Sequence, residues 1–196
     1  MTTLHCSLGF RVKSGHAIAI ALGGPAASPI PLARAIVELS DPNVAATRQP
    51  FHADFGTAQE DRTVIARLVA MIETCARRSV DALLSDERLG GRRCRGAGIV
   101  VGSVIDPEKV GNLHIRAHAS EGRLFRTVLE DALRAHRVPC TVSVEKTLLA
   151  VAVKRLGQSE RAIGRTVGGF GRVLGSPWRA EEKAAATVAW MALNTR

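Results

Sequence analysis

A hairpin near the start of the chain constrains the fold most strongly. Residues 9–24 read GFRVKSGHAIAIALGG, in which apolar side chains alternate on both sides of a Ser-Gly pair. The alternation predicts two β-strands, at residues 7–13 and 16–22, and Ser14-Gly15 predicts the turn between them. Strands joined by so short a turn must be antiparallel neighbours, so the fold contains a sheet that begins with a meander.

The remaining apolar pattern predicts three more strands. The run LARAIVEL at residues 32–39 fits a helix or a strand, and its short length between proline-rich loops favours a strand. The run GAGIVVGSVID at 96–106 is apolar almost throughout, which is typical of a strand buried on both faces, and we expect it at the centre of the sheet. The segment CTVSVEK at 140–146 alternates and predicts the fifth strand.

Apolar residues at three- and four-residue steps predict the helices. The first and longest is expected to begin at a capping box formed by Thr57 and Glu60 and to end before Gly90-Gly91. Further helices are predicted at 118–136, 147–156, 158–174 and 179–193. The order β-β-β-α-β-α-β-α implies an α/β fold with a mixed five-stranded sheet and helices on both faces. This order is similar to that of the ribonuclease H-like fold, and a length of 196 residues suits a single domain over 1–196.

Composition limits the class of protein. No apolar run approaches the roughly 18 residues that span a bilayer, and no signal pattern opens the chain, so we expect a cytoplasmic protein without a membrane partner. The scattered Cys6, Cys75, Cys94 and Cys140 predict free thiols. The formal charge of +9 favours nucleic acid as a partner, although an arginine-rich composition also reflects a GC-rich genome. Aromatic residues make up only 4% of the chain, which argues against a base-stacking platform.

Four segments of the second half carry a family resemblance. They read GIVVGSVIDPEKVGN, RAHASEGRLFRTVLEDALRA, VPCTVSVEKTLLAVAVKRLG and EEKAAATVAWMAL. They resemble the Holliday-junction-resolvase-like family called YqgF and, more distantly, the RuvC resolvases. In that family one strand ends in V-V-G, the next ends in an acidic residue, and a late helix carries an acid before A-A. The resemblance covers about half of the chain.

The resemblance implies which residues would be catalytic. Val100-Val101-Gly102 matches the V-V-G motif, and Glu145 and Glu182 stand where the family has its two acids. Nucleases of this fold hold two Mg²⁺ about 3.5–4 Å apart between carboxylates, and the ions clamp the attacking and leaving oxygens. Glu145 and Glu182 are therefore the implied catalytic and metal-binding residues, and Mg²⁺ is the cofactor that such a site would take.

The first strand departs from the family pattern. Arg11 occupies the position of the family's aspartate, and Lys13 follows two residues later. A guanidinium replaces a metal ligand with a competing cation, so Mg²⁺-dependent cleavage is put in doubt. Arg11 and Lys13 would instead form ion pairs with Glu145 or Glu182, or bind a phosphate of nucleic acid.

Two further acidic positions have both a functional and an ordinary interpretation. Asp106 follows the apolar strand and could supply a metal ligand beside Glu145, but Asp before Pro is also common in turns. Glu182, with Glu181 and Lys183, could equally form the solvated first turn of a helix, where acidic residues suit the helix dipole.

The segment NLHIRAHASEG is the most unusual part of the chain. His114, Arg116 and His118 could bind the phosphates of nucleic acid at the end of a strand. His114 and His118 are four residues apart and could instead present a metal site on one helical face, with Glu121 three residues further. A third interpretation is that His118 or Ser120 caps a helix that begins there.

Two basic segments are also candidates. GGRRCRG at 90–96 places Arg92, Arg93 and Arg95 together, which suits nucleic-acid contact but also the C-terminus of a helix. GRTVGGFGRVLG at 164–175 lacks the preceding strand that a dinucleotide-binding loop requires, so a dinucleotide site is not expected there. It could be a flexible basic segment that contacts phosphates, but a frayed connector is favoured.

Two functions remain open from the sequence. One is a divergent ribonuclease H-like protein that binds nucleic acid, with metal-dependent phosphodiester cleavage in doubt. The other is a non-catalytic module on the same fold that serves for interaction or homo-oligomerisation. An actin-like ATPase ranks last, because the turns KSGH and GSVIDPEK are poor phosphate-binding loops.

Overall fold

Five strands form one mixed sheet in the order β3-β2-β1-β4-β5. The computed structural model describes residues 4–53 and 57–194. The strands are β1 (His5–Lys13), β2 (His16–Gly23), β3 (Ile30–Glu38), β4 (Arg93–Val101) and β5 (Cys140–Val144). β1, β2 and β3 form an antiparallel meander, while β4 is parallel to both β1 and β5. The predicted mixed sheet is confirmed.

The opening hairpin has the predicted form. Lys13 pairs with His16, so Ser14 and Gly15 make up the whole turn. Gly15 has φ of 79°, a left-handed conformation that other residues rarely adopt. The turn therefore fixes the register of β1 and β2, which determines the face of the sheet that each side chain occupies.

Helices cover both faces of the sheet. They are α1 (Arg62–Leu84), α2 (Leu113–Ala135), α3 (Leu148–Leu156), α4 (Glu160–Leu174) and α5 (Ala180–Leu193). One core lies between the sheet and α1 and α2, and includes Leu8, Phe10 and Ile99. A second core, which includes Val100, lies under α3, α4 and α5. The neighbouring residues Ile99 and Val100 of β4 enter opposite cores, which reflects the two-residue period of a strand.

α5 packs directly on the middle of the sheet. On that face β1 and β4 present Gly9 and Gly98, so at these two positions no side chain separates the helix from the strands. Ser7 Oγ also donates a hydrogen bond of 2.7 Å to the backbone oxygen of Ala189. This close approach holds the N-terminal turn of α5 beside the carboxyl end of β1. None of the helices described is both long and apolar enough to cross a membrane.

The structure corrects the predicted centre of the sheet. β4 ends at Val101 rather than continuing to residue 105 or 106, and it lies between β1 and β5. The central strand is β1, because the meander adds two strands on one side and the parallel units add two on the other. A strand one place from the centre is still buried on both faces, which explains its apolar sequence.

Two helix starts were predicted wrongly. α1 begins at Arg62, where the Asp61 carboxylate accepts hydrogen bonds from two backbone N–H groups, so Thr57 and Glu60 form no capping box. α1 also ends at Leu84, before the predicted Gly90. α2 begins at Leu113, five residues before the predicted start, because the Asn112 side chain caps it by accepting from the backbone N–H of Ile115. His118 therefore lies within the helix.

Candidate functional site

The carboxyl ends of β1, β4 and β5 meet at one edge of the sheet because these strands are parallel. Loops at such edges are the usual location of ligand sites in α/β sheets. This edge, called here the carboxyl edge, carries Arg11 and Lys13 from β1, Gly102 after β4 and Glu145 after β5. The loop after β4 continues into α2, which adds His118 and Glu121.

Arg11 is a buried arginine with a carboxylate partner. Its side chain lies on the opposite face of β1 from Phe10 and Val12, and the residue is only 7% exposed. Its Nη2 lies 2.6 Å from Glu145 Oε2 and its Nε lies 3.4 Å from Oε1, a two-point contact. Its Nη1 donates to the backbone oxygen of Val12 at 2.6 Å. The predicted pairing of Arg11 with Glu145 is therefore confirmed.

Glu182 pairs with an arginine that the sequence did not single out. It is 2% exposed, and its Oε1 accepts from Arg34 Nη2 at 2.9 Å and from Arg34 Nε at 3.2 Å. Its Oε2 accepts from the backbone N–H of Arg179 at 2.8 Å, which caps α5. The predicted partner of Glu182, Arg11 or Lys13, is wrong, because the side chain of Glu182 is held towards β3. The sequence signal for this partner was Arg34 itself, which is the single arginine in the apolar run LARAIV.

Lys13 pairs with the neighbouring acid on α5. Its Nζ lies 3.4 Å from Glu181 Oε1, and both side chains are partly exposed. A hydrogen bond from its own backbone N–H and then the Lys13 ammonium hold the pKa of the Glu181 carboxyl below its usual range. Exposed pairs of this kind contribute little to stability.

The carboxylates implied as metal ligands therefore have separate cationic partners. Glu145 contacts Arg11 from β1, and Glu182 contacts Arg34 from β3. Asp106 also has other partners. Its side chain caps a one-turn helix at Pro107–Lys109, and its Oδ1 lies 3.7 Å from Arg123 Nη1. The turn interpretation of Asp106 fits these contacts. Each of the Glu145 and Glu182 carboxylates thus lies against a guanidinium group, which cannot ligate Mg²⁺ and repels it, so these residues do not fit a two-Mg²⁺ centre.

A polar cavity of about 310 Å³ opens at the carboxyl edge. Arg11, Lys13 and Gly102 line one side, and His118 and Glu121 line the other. His114 lies one turn before His118 on α2, and the two Nε2 atoms are 3.2 Å apart. Arg116 lies on the exposed surface of α2, and its Nε donates to the backbone oxygen of Val110 at 2.8 Å. Sequence reasoning missed His52, which approaches these histidines from a loop.

The second basic cluster lies at the other end of the sheet. Arg93 and Arg95 are exposed at the start of β4, whereas Arg92 is half-buried and donates from Nη1 to the backbone oxygen of Leu89 at 3.0 Å. Arg11 is in register with Val100, seven residues after Arg93. Because a strand rises about 3.3 Å per residue, roughly 20 Å separate the two ends. The basic residues predicted to bind nucleic acid thus form two separate groups.

We predict that Glu145→Gln destabilises the protein. Removing the carboxylate leaves the buried Arg11 guanidinium without its charged partner, and breaking a fully buried pair costs about 3–5 kcal/mol. The Glu145 side chain is 45% exposed, so water can replace part of the lost contact and we expect about 1–3 kcal/mol. The midpoint of urea unfolding measures the change. A Glu145→Gln midpoint equal to that of the wild type would contradict a structural role for this pair.

Comparisons with known proteins relate the chain to others through its structure. No family model matches the sequence, and no curated protein matches it. The structure is similar to that of RuvC from Thermus thermophilus, with a TM-score of 0.52 at 10% identity, over 95% of this chain and 92% of the other. It is also similar to T. thermophilus RuvC in complex with a Holliday junction substrate, with a TM-score of 0.54 at 12% identity and the same coverage.

The similarity extends over nearly the whole of both chains. It therefore includes the meander, the parallel strands and the helices on both faces. The resemblance to RuvC-type proteins that the second half of the sequence predicted is confirmed at the level of the fold. The chain has the ribonuclease H-like fold of RuvC, with an arginine–glutamate pair at the carboxyl end of its central strand.

Proposed function

We propose that this protein binds nucleic acid through its carboxyl edge and does not cleave it with a two-Mg²⁺ centre. The observation that carries the proposal is the Arg11–Glu145 pair, which places a buried guanidinium where the family resemblance implies a metal-binding aspartate. A guanidinium at this position opposes Mg²⁺ binding, and its pair with Glu145 is formally neutral, so the attraction for phosphate comes from the exposed basic residues around it. RuvC, which has the same fold, has been solved in complex with a Holliday junction.

The charge distribution supports binding through phosphates. Lys13 and Arg116 are exposed at the carboxyl edge, and Arg93 and Arg95 are exposed at the opposite end of the sheet. Contacts of such side chains with the phosphate backbone of a nucleic acid do not read its base sequence, so we expect binding that is largely independent of base sequence. A structured substrate that spans the roughly 20 Å between the two groups could contact both.

We predict micromolar or tighter binding to four-way junctions or duplexes at low salt, with affinity that falls steeply as salt is added. Each phosphate contact contributes about 0.9 to the slope of log K against log[salt] for duplex DNA. Lys13→Ala combined with Arg116→Ala should therefore lower the slope by about 2 if both residues contact phosphates. Arg93→Ala combined with Arg95→Ala tests the other end of the sheet. Fluorescence anisotropy over a salt series measures both.

A matched control removes the same charge elsewhere. Arg161 and Arg165 are exposed on α4 and belong to neither basic group. Arg161→Ala with Arg165→Ala should leave the slope close to that of the wild type. No binding of junction, duplex or RNA at low salt, or an equal loss in all three double variants, would contradict binding at the carboxyl edge.

We predict little or no cleavage of junction, duplex or RNA substrates in Mg²⁺ or Mn²⁺. Hard divalent cations need carboxylate and water ligands, and both implied carboxylates are paired with arginines. A gel assay with an active resolvase as the positive control measures cleavage. Robust cleavage that Glu145→Gln abolishes without changing the unfolding midpoint would overturn the proposal, since Glu145 would then serve in catalysis and not in stability.

An interaction module is the alternative, and the edge strand β3 favours it. Ile30 and Ile36 lie on this strand and are 51% and 49% exposed. An exposed edge with apolar side chains can pair with another strand. A stable dimer in sedimentation experiments that Ile36→Lys dissociates, together with no nucleic-acid binding, would support this alternative.

A further inference from the structure

Three histidines meet beside the carboxyl edge, although they are far apart in sequence. His114 and His118 lie one turn apart on α2, and His52 lies in the loop between β3 and α1. The ring centroid of His52 is 5.2 Å from that of His114 and 4.5 Å from that of His118. One ring nitrogen from each of the three histidines lies within 4.8 Å of the other two. The rings therefore converge on one small volume.

His52 is held in the orientation of a ligand. Its side chain is only 6% exposed, and its Nδ1 lies 2.7 Å from Glu121 Oε1. Its other nitrogen, Nε2, is buried and has no hydrogen-bond partner in the described part of the chain. A proton on Nδ1, donated to the carboxylate, leaves a lone pair on Nε2. A buried nitrogen lone pair without a partner is unusual in a folded protein and calls for an explanation.

Glu121 is a buried carboxylate that lies behind two of the three histidines. It is 2% exposed, and among the described residues its ion-pair contacts are to two histidines, His52 and His118. Its Oε2 lies 3.7 Å from His118 Nδ1 and lacks a hydrogen-bond partner among the described residues. A carboxylate behind the Nδ1 atoms of two histidines favours the tautomer that frees Nε2 in both. Carboxylates commonly orient metal-binding histidines in this way.

We propose that His52, His114 and His118 form a binding site for one divalent transition-metal ion, with Glu121 as the carboxylate that orients two of them. Imidazole nitrogens suit Zn²⁺ and related ions rather than Mg²⁺, so this site is chemically distinct from the carboxylate centre that the fold implies. In a tetrahedral zinc site with Zn–N near 2.0–2.1 Å, ligand nitrogens lie about 3.3–3.4 Å apart. The Nε2 atoms of His114 and His118 are 3.2 Å apart.

A hydrogen bond within the cluster is a weaker explanation of the same geometry. One proton shared between His114 and His118 would satisfy that pair, but it would leave His52 Nε2 without a partner. A metal ion accounts for all three nitrogens at once. Three protein ligands also leave a tetrahedral ion one position for water or another ligand, which is characteristic of catalytic rather than structural zinc sites. His118 lines the polar cavity that Arg11 and Lys13 also line.

Titration of metal-free protein with Co²⁺ and then Zn²⁺ tests the proposal. We expect one equivalent of Co²⁺ to bind with micromolar or tighter affinity, to give the visible absorption bands of tetrahedral coordination, and to be displaced by Zn²⁺. His114→Ala combined with His118→Ala should weaken binding at least 100-fold. Both histidines are exposed, so this double variant should keep the wild-type circular dichroism and unfolding midpoint without metal.

Two further variants separate this site from non-specific binding. His136→Ala removes a histidine at the C-terminal end of α2, where it pairs with Asp81, and should leave the affinity unchanged. Glu121→Gln keeps the size of the side chain and should weaken binding about 10–100-fold, as expected when an orienting carboxylate is lost. The proposal is overturned if the wild type binds no Co²⁺ or Zn²⁺ at micromolar concentrations. It is also overturned if the double histidine variant binds as tightly as the wild type.

Discussion

Gly9→Ala is expected to prevent stable folding. A Cβ atom at this position would lie 1.9 Å from the backbone oxygen of Ala185 and 2.5 Å from the backbone nitrogen of Ala189. Both atoms belong to the α5 backbone, so relief requires the whole helix to move away from the sheet. Overpacking a core usually costs about 1–3 kcal/mol, and a clash with backbone on this scale should exceed that range. Since domains are stable by only about 5–15 kcal/mol, we expect a large loss of folded protein.

Urea unfolding followed by circular dichroism measures the effect, and Gly164→Ala is the matched control. No atom lies within 4 Å of a Cβ at Gly164, which is inside α4. Alanine is favoured over glycine in a helix interior by about 1 kcal/mol, so the control should fold and be slightly more stable. Gly98→Ala should resemble Gly9→Ala, because its Cβ would lie 2.4 Å from Val188 Cβ. A Gly9→Ala protein with the wild-type midpoint would contradict the direct packing of α5 on β1.

Glu182→Gln is expected to cost about 3 kcal/mol of folding free energy, at the lower end of the range for a broken buried ion pair. The Glu182 carboxylate is 2% exposed and accepts hydrogen bonds from both Arg34 and the backbone N–H of Arg179. The glutamine amide has the same shape, but it carries no charge and turns one acceptor into a donor. One of the two contacts must then place donor against donor. The side chain of Arg34 is 20% exposed, so water relieves part of the loss.

Glu181→Gln is the control for this prediction, since it is the neighbouring acid in the same helical turn. Its pair with Lys13 is 3.4 Å long and partly exposed, so the expected cost is below about 1 kcal/mol. Arg34→Met combined with Glu182→Met removes both charges and should recover part of the stability that Glu182→Gln loses. Equal unfolding midpoints for Glu181→Gln and Glu182→Gln would show that the buried pair does not stabilise the fold.

α5 packs on the core and reaches the carboxyl edge, where Glu181 pairs with Lys13. The contacts of α5 with Gly9 and Gly98 of the sheet fix where Glu181 and Glu182 lie relative to β1. If Glu182 acts in stability, its variants should unfold more easily and should keep the nucleic-acid affinity of whatever protein remains folded. If it binds a metal ion for cleavage, loss of activity should occur at an unchanged midpoint. Measuring the unfolding midpoint, the nucleic-acid affinity and the cleavage activity on one preparation therefore distinguishes the two roles.

The local sequence predicted the elements that depend on neighbouring residues. The two-residue period around Ser14-Gly15 predicted the hairpin, and the apolar pattern predicted the other strands, because burial of alternating side chains is determined within a few positions. Helix starts were predicted less well. Asn112 and Asp61 cap α2 and α1, but the sequence offered competing caps at His118 and Thr57. Which cap forms depends on where the chain leaves the sheet, and that is a tertiary property.

The sequence by itself determined that the first strand carries Arg11 and that Glu145 follows the last strand. The family resemblance places these two positions in one site, so their pairing could be predicted. Only the tertiary structure decided that Glu182 pairs with Arg34 and that His52 joins His114 and His118. Glu182 is 148 residues from Arg34, and His52 is 69 residues from Glu121. Contacts over such separations arise from the packing of helices on the sheet, for which no local pattern exists in the chain.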